Sequence, residues 1–140
     1  MTNPDESARL KSRHLRFGWG SLLVFVVLGG ALEAMHGFKV DWYLAVGNET
    51  QRLMWRLAHA HGTFLALVHV AFAATVAAAS PAPKVSSACL LGASVALPGG
   101  FLLGAFGGAG GDPGIAIALV PVGLVLLVLA LVGCLRSLPR

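Results

Sequence analysis

Charged residues are scarce in this sequence. They make up 11% of the 140 residues, whereas an ordinary soluble domain carries about 25%. Hydrophobic residues make up 56% of the chain and the mean hydropathy is +0.79. A chain this short has too much surface to hide so many apolar side chains from water. A soluble globular fold and a disordered chain are therefore excluded, and lipid is predicted to surround most of the protein.

Cysteine is also scarce, and several catalytic motifs are missing. The two cysteines, Cys89 and Cys134, are too few for a disulfide scaffold, and we expect both to be free thiols that pack as small apolar side chains. The sequence has no phosphate-binding loop, nucleophile elbow or His-Glu-x-x-His motif, which favours a protein that is not an enzyme. Its basic residues flank apolar segments instead of forming a continuous surface, which argues against nucleic-acid binding.

Long apolar segments are what the sequence does have. A transmembrane helix needs roughly 20 mostly apolar residues, and four segments meet this length: 17–35, 57–80, 85–106 and 114–135. They predict an all-α integral membrane protein, a bundle of four transmembrane helices in residues 17–135. Residues 1–16 form a basic tail and residues 136–140 a second short tail. Asn48 and Gln51 predict a capping box that starts the second long helix near Glu49.

The basic residues predict the orientation, because Lys and Arg are enriched on the cytoplasmic side. With the N-terminus inside, an even number of spans returns the C-terminus to the cytoplasm. Trp19 then lies at the inner interface and Trp42, Tyr43 and Trp55 at the outer one, where aromatic rings prefer to lie. We expect a multi-pass protein of the inner (plasma) membrane. The inner side carries Arg9, Lys11, Arg13, Arg16, Lys84, Arg136 and Arg140, and the outer side Lys39, Arg52 and Arg56.

One carboxylate falls within the four segments. Glu33 and His36 lie at i and i+3 near the outer end of the first segment, and His59 and His61 lie near the outer end of the second. A carboxylate with imidazoles at one level is a ligand set for a transition metal, so these four residues are the candidate metal site. Residues two apart on a helix point about 200° apart, so at most one of the two histidines of the second segment is expected to face Glu33. Interhelical hydrogen bonding, or a proton relay or quinone contact, would also explain the cluster.

A fifth histidine lies deeper. His69 is 12 residues into the second segment, about 18 Å below its outer end. It is a candidate proton-relay residue or haem ligand, or a hydrogen-bonding residue between helices. A second histidine at that depth on another helix would be needed for bis-histidine haem, and the predicted segments contain none.

Small residues predict where helices approach closely. Gly100, Gly104 and Gly108 recur every four residues, a spacing typical of close helix packing within a bundle or against another subunit. Pro98 and Pro121 are expected to kink their helices at one level and so to line a small cavity.

These patterns leave three functions open. The sequence favours a metal-binding or redox accessory protein that holds a transition metal or haem. The alternatives are a structural or assembly subunit of a homo-oligomer or larger membrane complex, and a small transporter or proton-relay component.

Overall fold

The computed structural model describes residues 4–76, 79, 83–107 and 112–138. This part of the chain is helical and contains no strand. Short 3₁₀ turns, Val46–Asn48 and Ile115–Ala118, precede the third and fifth helices. The helices are α1 (Pro4–Gly37), α2 (Asp41–Leu44), α3 (Glu49–Thr75), α4 (Lys84–Gly104) and α5 (Leu119–Ser137).

Four helices are long and apolar enough to cross a membrane, which confirms the all-α class and the number of membrane-length helices. Their boundaries differ from the predicted segments. α1 begins at Pro4 instead of residue 17, so the basic tail is mostly helical, with Asp5 and Glu6 in its first turn, where carboxylates favour the helix dipole.

The start of α3 at Glu49 confirms that boundary, but the predicted capping box is wrong. Asn48 makes no side-chain hydrogen bond to the first turn of α3. Its Nδ2 donates to the carbonyl oxygen of Trp42 at 2.5 Å instead. The amide therefore stabilises the loop before α3 and leaves the helix end without a side-chain cap.

The long helices pack in chain order, α1 on α3, α3 on α4 and α4 on α5. Consecutive long helices are antiparallel: His69 at the end of α3 bonds to Ser94 of α4, whereas Gln51 at its start bonds to Ala105. α3 and α4 form the middle of the row, and their buried residues Leu65, Phe72 and Leu97 belong to the hydrophobic core. Basic side chains from Arg9 to Arg16 and Lys84 mark one end, here named the basic end. Trp42, Tyr43 and Trp55 mark the aromatic end.

Glycines bring neighbouring helices together. A Cβ on Gly100 would lie 3.0 Å from Val120 Cγ2, and one on Gly104 would lie 3.4 Å from the backbone nitrogen of Ile117. Both glycines therefore pack within the chain, Gly100 against the start of α5 and Gly104 against the 3₁₀ turn before it. Gly108 lies outside the described residues. A further contact is closer, since a Cβ on Gly123 would lie 2.7 Å from the nitrogen of Leu97.

Candidate functional site

Two buried imidazoles meet between α1 and α3. His14 and His69 are both 0% exposed, and their Nδ1 atoms are 2.6 Å apart. The other ring nitrogens contact serines of α4: His14 Nε2 lies 2.7 Å from Ser87 Oγ, and His69 Nε2 lies 2.9 Å from Ser94 Oγ. These four residues, named the histidine–serine network, join three helices through a continuous chain of hydrogen bonds.

Aromatic rings and a glycine enclose the pair. The Phe72 ring is 4.4 Å from the ring of His14, and the Phe17 ring is 4.5 Å from that of His69. Gly18, one helical turn beyond His14, would place a Cβ only 3.1 Å from His69 Cβ. The absence of a side chain at this glycine lets α1 approach α3 closely enough for the two rings to bond.

The hydrogen-bond directions follow from the last serine. Ser94 donates its hydroxyl hydrogen to the carbonyl oxygen of Leu90 at 2.9 Å, so its oxygen accepts from His69 Nε2. For two neutral rings, each with one N–H, His69 Nδ1 must then accept from His14 Nδ1. His14 Nε2 therefore accepts from the Ser87 hydroxyl. All four donors point in one direction, from Ser87 towards Leu90.

The structure corrects one expectation about His69. The predicted segments contained no histidine at its depth on another helix, yet His14 lies directly against it. His14 was missed because it falls within residues 1–16, assigned to the tail. Leu10, which packs against the core, and the buried Gly18 share the same face of α1 at four-residue spacing. This helical period was the signal that the buried face continues into the basic segment.

The bond between the two imidazoles does not fit an axial haem pair. A metal–nitrogen bond is about 2.0–2.1 Å long, so two opposite ligands stand about 4 Å apart, whereas these nitrogens are 2.6 Å apart. In this arrangement the two rings bind each other and leave no room for an iron ion between them.

Three of the four predicted metal ligands line one cavity near the aromatic end. Glu33 and His36 of α1 and His59 of α3 share a cavity of about 340 Å³ with Arg56. His59 Nδ1 donates to the carbonyl oxygen of Phe25 at 2.7 Å. The ring lies over Gly29, where a Cβ would collide with it.

His61 lies apart from these residues. Its Nδ1 donates to the carbonyl oxygen of Leu57 in its own helix at 2.8 Å, and its ring lies 4.9 Å from that of Phe101 in α4. It lines a different, mostly apolar cavity of about 330 Å³ beside Leu97 and Leu124. Neither Pro98 nor Pro121 is among the described residues that line this cavity.

Within the described residues, no group of three or more His, Cys, Asp and Glu side chains is arranged to hold a metal ion. The metal site at Glu33, His36, His59 and His61 stays a prediction for protein purified in mild detergent. Elemental analysis with an absorption spectrum tests this. Stoichiometric metal that is lost in Glu33→Ala and retained in the matched variant His61→Ala would assign the cavity around Glu33 as a metal site.

No family model matches this chain. Neither does any curated protein or solved structure. Its function is therefore inferred from the geometry of the site.

Proposed function

We propose that this chain is a proton-relay component of the inner (plasma) membrane, with both termini in the cytoplasm. The observation that carries the proposal is the direct hydrogen bond between the buried imidazoles of His14 and His69. Imidazole exchanges protons near neutral pH, and ionisable side chains within membrane helices are costly and usually functional.

The distribution of basic and aromatic residues supports this orientation. Lys84, at the start of α4, pairs with Glu6 in the first turn of α1 at 2.5 Å, so both helices start at the basic end. Positive residues favour the cytoplasmic side and aromatic rings the membrane interfaces. The basic end is therefore assigned to the cytoplasm, and the histidine–serine network lies in the cytoplasmic half of the membrane.

Proton uptake is assigned to the Ser87 side of the network. In the neutral state the lone pair of His69 Nδ1 is occupied by His14, so His14 Nε2 is the ring nitrogen that receives a proton through Ser87. Ser87 lies one helical turn beyond Lys84, which pairs with Glu6 at the basic end. Arg13, adjacent to His14 on α1, is a further charge near the pair.

Each transfer conserves protons. A proton arriving at Ser87 Oγ lets the hydroxyl hydrogen pass to His14 Nε2, and the His14 Nδ1 proton passes to His69 Nδ1. His14 is then neutral again with its hydrogen on Nε2, and His69 carries the positive charge. The Leu90 carbonyl cannot take up a proton, so release requires the Ser94 hydroxyl to rotate away from it towards a water molecule. Ser94 Oγ then receives the His69 Nε2 proton as its own hydrogen passes to that water, which carries the proton on.

Proton flux into vesicles tests the proposal. The full chain is reconstituted into vesicles that contain a pH-sensitive dye, and a potassium diffusion potential drives protons inward. We expect flux above that of protein-free vesicles, reduced to their level by His69→Gln. Glutamine keeps a hydrogen-bonding amide beside Ser94 but cannot exchange a proton near neutrality.

His61→Gln is the matched control, because it removes another imidazole of α3 that bonds only within its own helix. It is expected to leave the flux unchanged. Wild-type flux equal to that of empty vesicles, or equal losses in the two variants, would contradict the relay and favour a structural subunit.

A further inference from the structure

A basic groove of about 860 Å³ runs between α1 and α4 on the surface of the protein. α1 contributes charged and polar side chains together with the ring of Phe17, and α4 contributes apolar side chains. The lining includes Arg9, Ser12, Arg13 and Arg16 from α1 and Leu91 and Val95 from α4. The α1 residues follow the i, i+3, i+4, i+7 spacing that places side chains on one helix face.

The arginines lie beside the apolar length of α4. Arg13 is adjacent to His14, which bonds to Ser87, and Leu91 lies one helical turn beyond that serine. Glu6 pairs with Lys84 and Glu49 with Arg52, so neither of these two carboxylates neutralises an arginine of the groove. Guanidinium groups beside hydrocarbon are costly unless an anion accompanies them.

We propose that this groove binds an anionic phospholipid of the cytoplasmic leaflet. Its phosphate contacts the guanidinium groups, which match phosphate oxygens with paired N–H donors. An acyl chain lies along Leu91 and Val95, and Val95 is 66% exposed. The long arginine stems reach from the apolar wall towards the headgroup level. The charge of the groove selects against zwitterionic lipid, and its apolar α4 wall selects against a free phosphate ion.

Quenching of tryptophan fluorescence by brominated lipid tests this site. Trp19 is 61% exposed, three residues beyond Arg16 on α1, and reports on lipid near the groove. The full chain is reconstituted into phosphatidylcholine vesicles with increasing brominated phosphatidylglycerol, or with brominated phosphatidylcholine in the same fractions. We expect stronger quenching by the anionic lipid. Arg13→Gln should weaken the preference by more than about fivefold, since it removes hydrogen bonds to the phosphate in addition to the roughly fivefold attraction of one surface charge.

Lys11→Gln is the matched control, because it removes one exposed positive charge from the same segment of α1 outside the groove lining. Its preference should fall by about fivefold at most, which is the effect of one surface charge. Equal quenching by the two lipids, or equal losses in the two variants, would overturn the proposal. Soluble glycerol phosphate should not compete at the same molar ratio; if it abolishes the preference, the groove binds the phosphate alone and the lipid proposal is overturned.

Discussion

Replacement of Gly18 by leucine is expected to lower the free energy of unfolding by about 1–3 kcal/mol, the usual cost of overpacking a close contact. A Cβ at this position would lie 2.9 Å from the backbone oxygen of Ala66 and 3.0 Å from Val70 Cγ2. Backbone cannot move aside as a flexible side chain can, so α1 must shift away from α3. Because Gly18 also contacts His69 Cβ, this shift separates the two imidazoles, and the proton flux should fall with stability.

Gly20→Leu is the matched control on the same helix. A Cβ on Gly20 would meet nothing within 4 Å, so the same change in helix propensity occurs there without a collision. Thermal unfolding in mild detergent, followed by circular dichroism, compares the two variants. Equal stability losses would show that helix propensity, and not the α1–α3 contact, determines the effect of leucine at Gly18.

Hydropathy predicted the four long helices well because membrane length and apolar composition are local properties of the sequence. It failed at the first boundary, where charged residues of α1 alternate with residues that pack against α3. Leu10 and His14 share that buried face with Gly18, but a hydropathy average over the basic segment hides them. In this segment, the four-residue spacing of Leu10, His14 and Gly18 indicates which side chains are buried, whereas the mean hydropathy does not.

The contacts between helices were less predictable than the helices. His14 and His69 are 55 residues apart in sequence, and the register that joins them depends on side-chain packing between α1 and α3. The same packing places His59 over Gly29 in the cavity with Glu33, whereas His61 packs on Phe101. The four-residue spacing of Gly100 and Gly104 was visible in the sequence. Gly18 and Gly62 have no such repeat, yet a Cβ on Gly62 would collide with the Phe25 ring.

The second large effect is expected from removing one imidazole of the pair. His14→Leu would leave His69 Nδ1 and the Ser87 hydroxyl without their partner, and a buried polar group left unsatisfied costs about 1–3 kcal/mol. Hydrogen bonds between membrane helices contribute on average only about 0.6 kcal/mol. The cost of the orphaned group therefore exceeds the contribution of the bond itself.

A double-mutant cycle separates these two contributions. His14→Leu and His69→Leu should each destabilise the protein, but the double variant should lose clearly less than the sum of the single losses, since it leaves no imidazole unpaired. Coupling between residues in one network is typically about 0.5–3 kcal/mol. Additive losses would mean that the two rings do not depend on each other for their hydrogen bonds, and the relay would then lack its central step. Flux should be absent in all three variants, including a double variant whose stability has recovered, because leucine carries no proton.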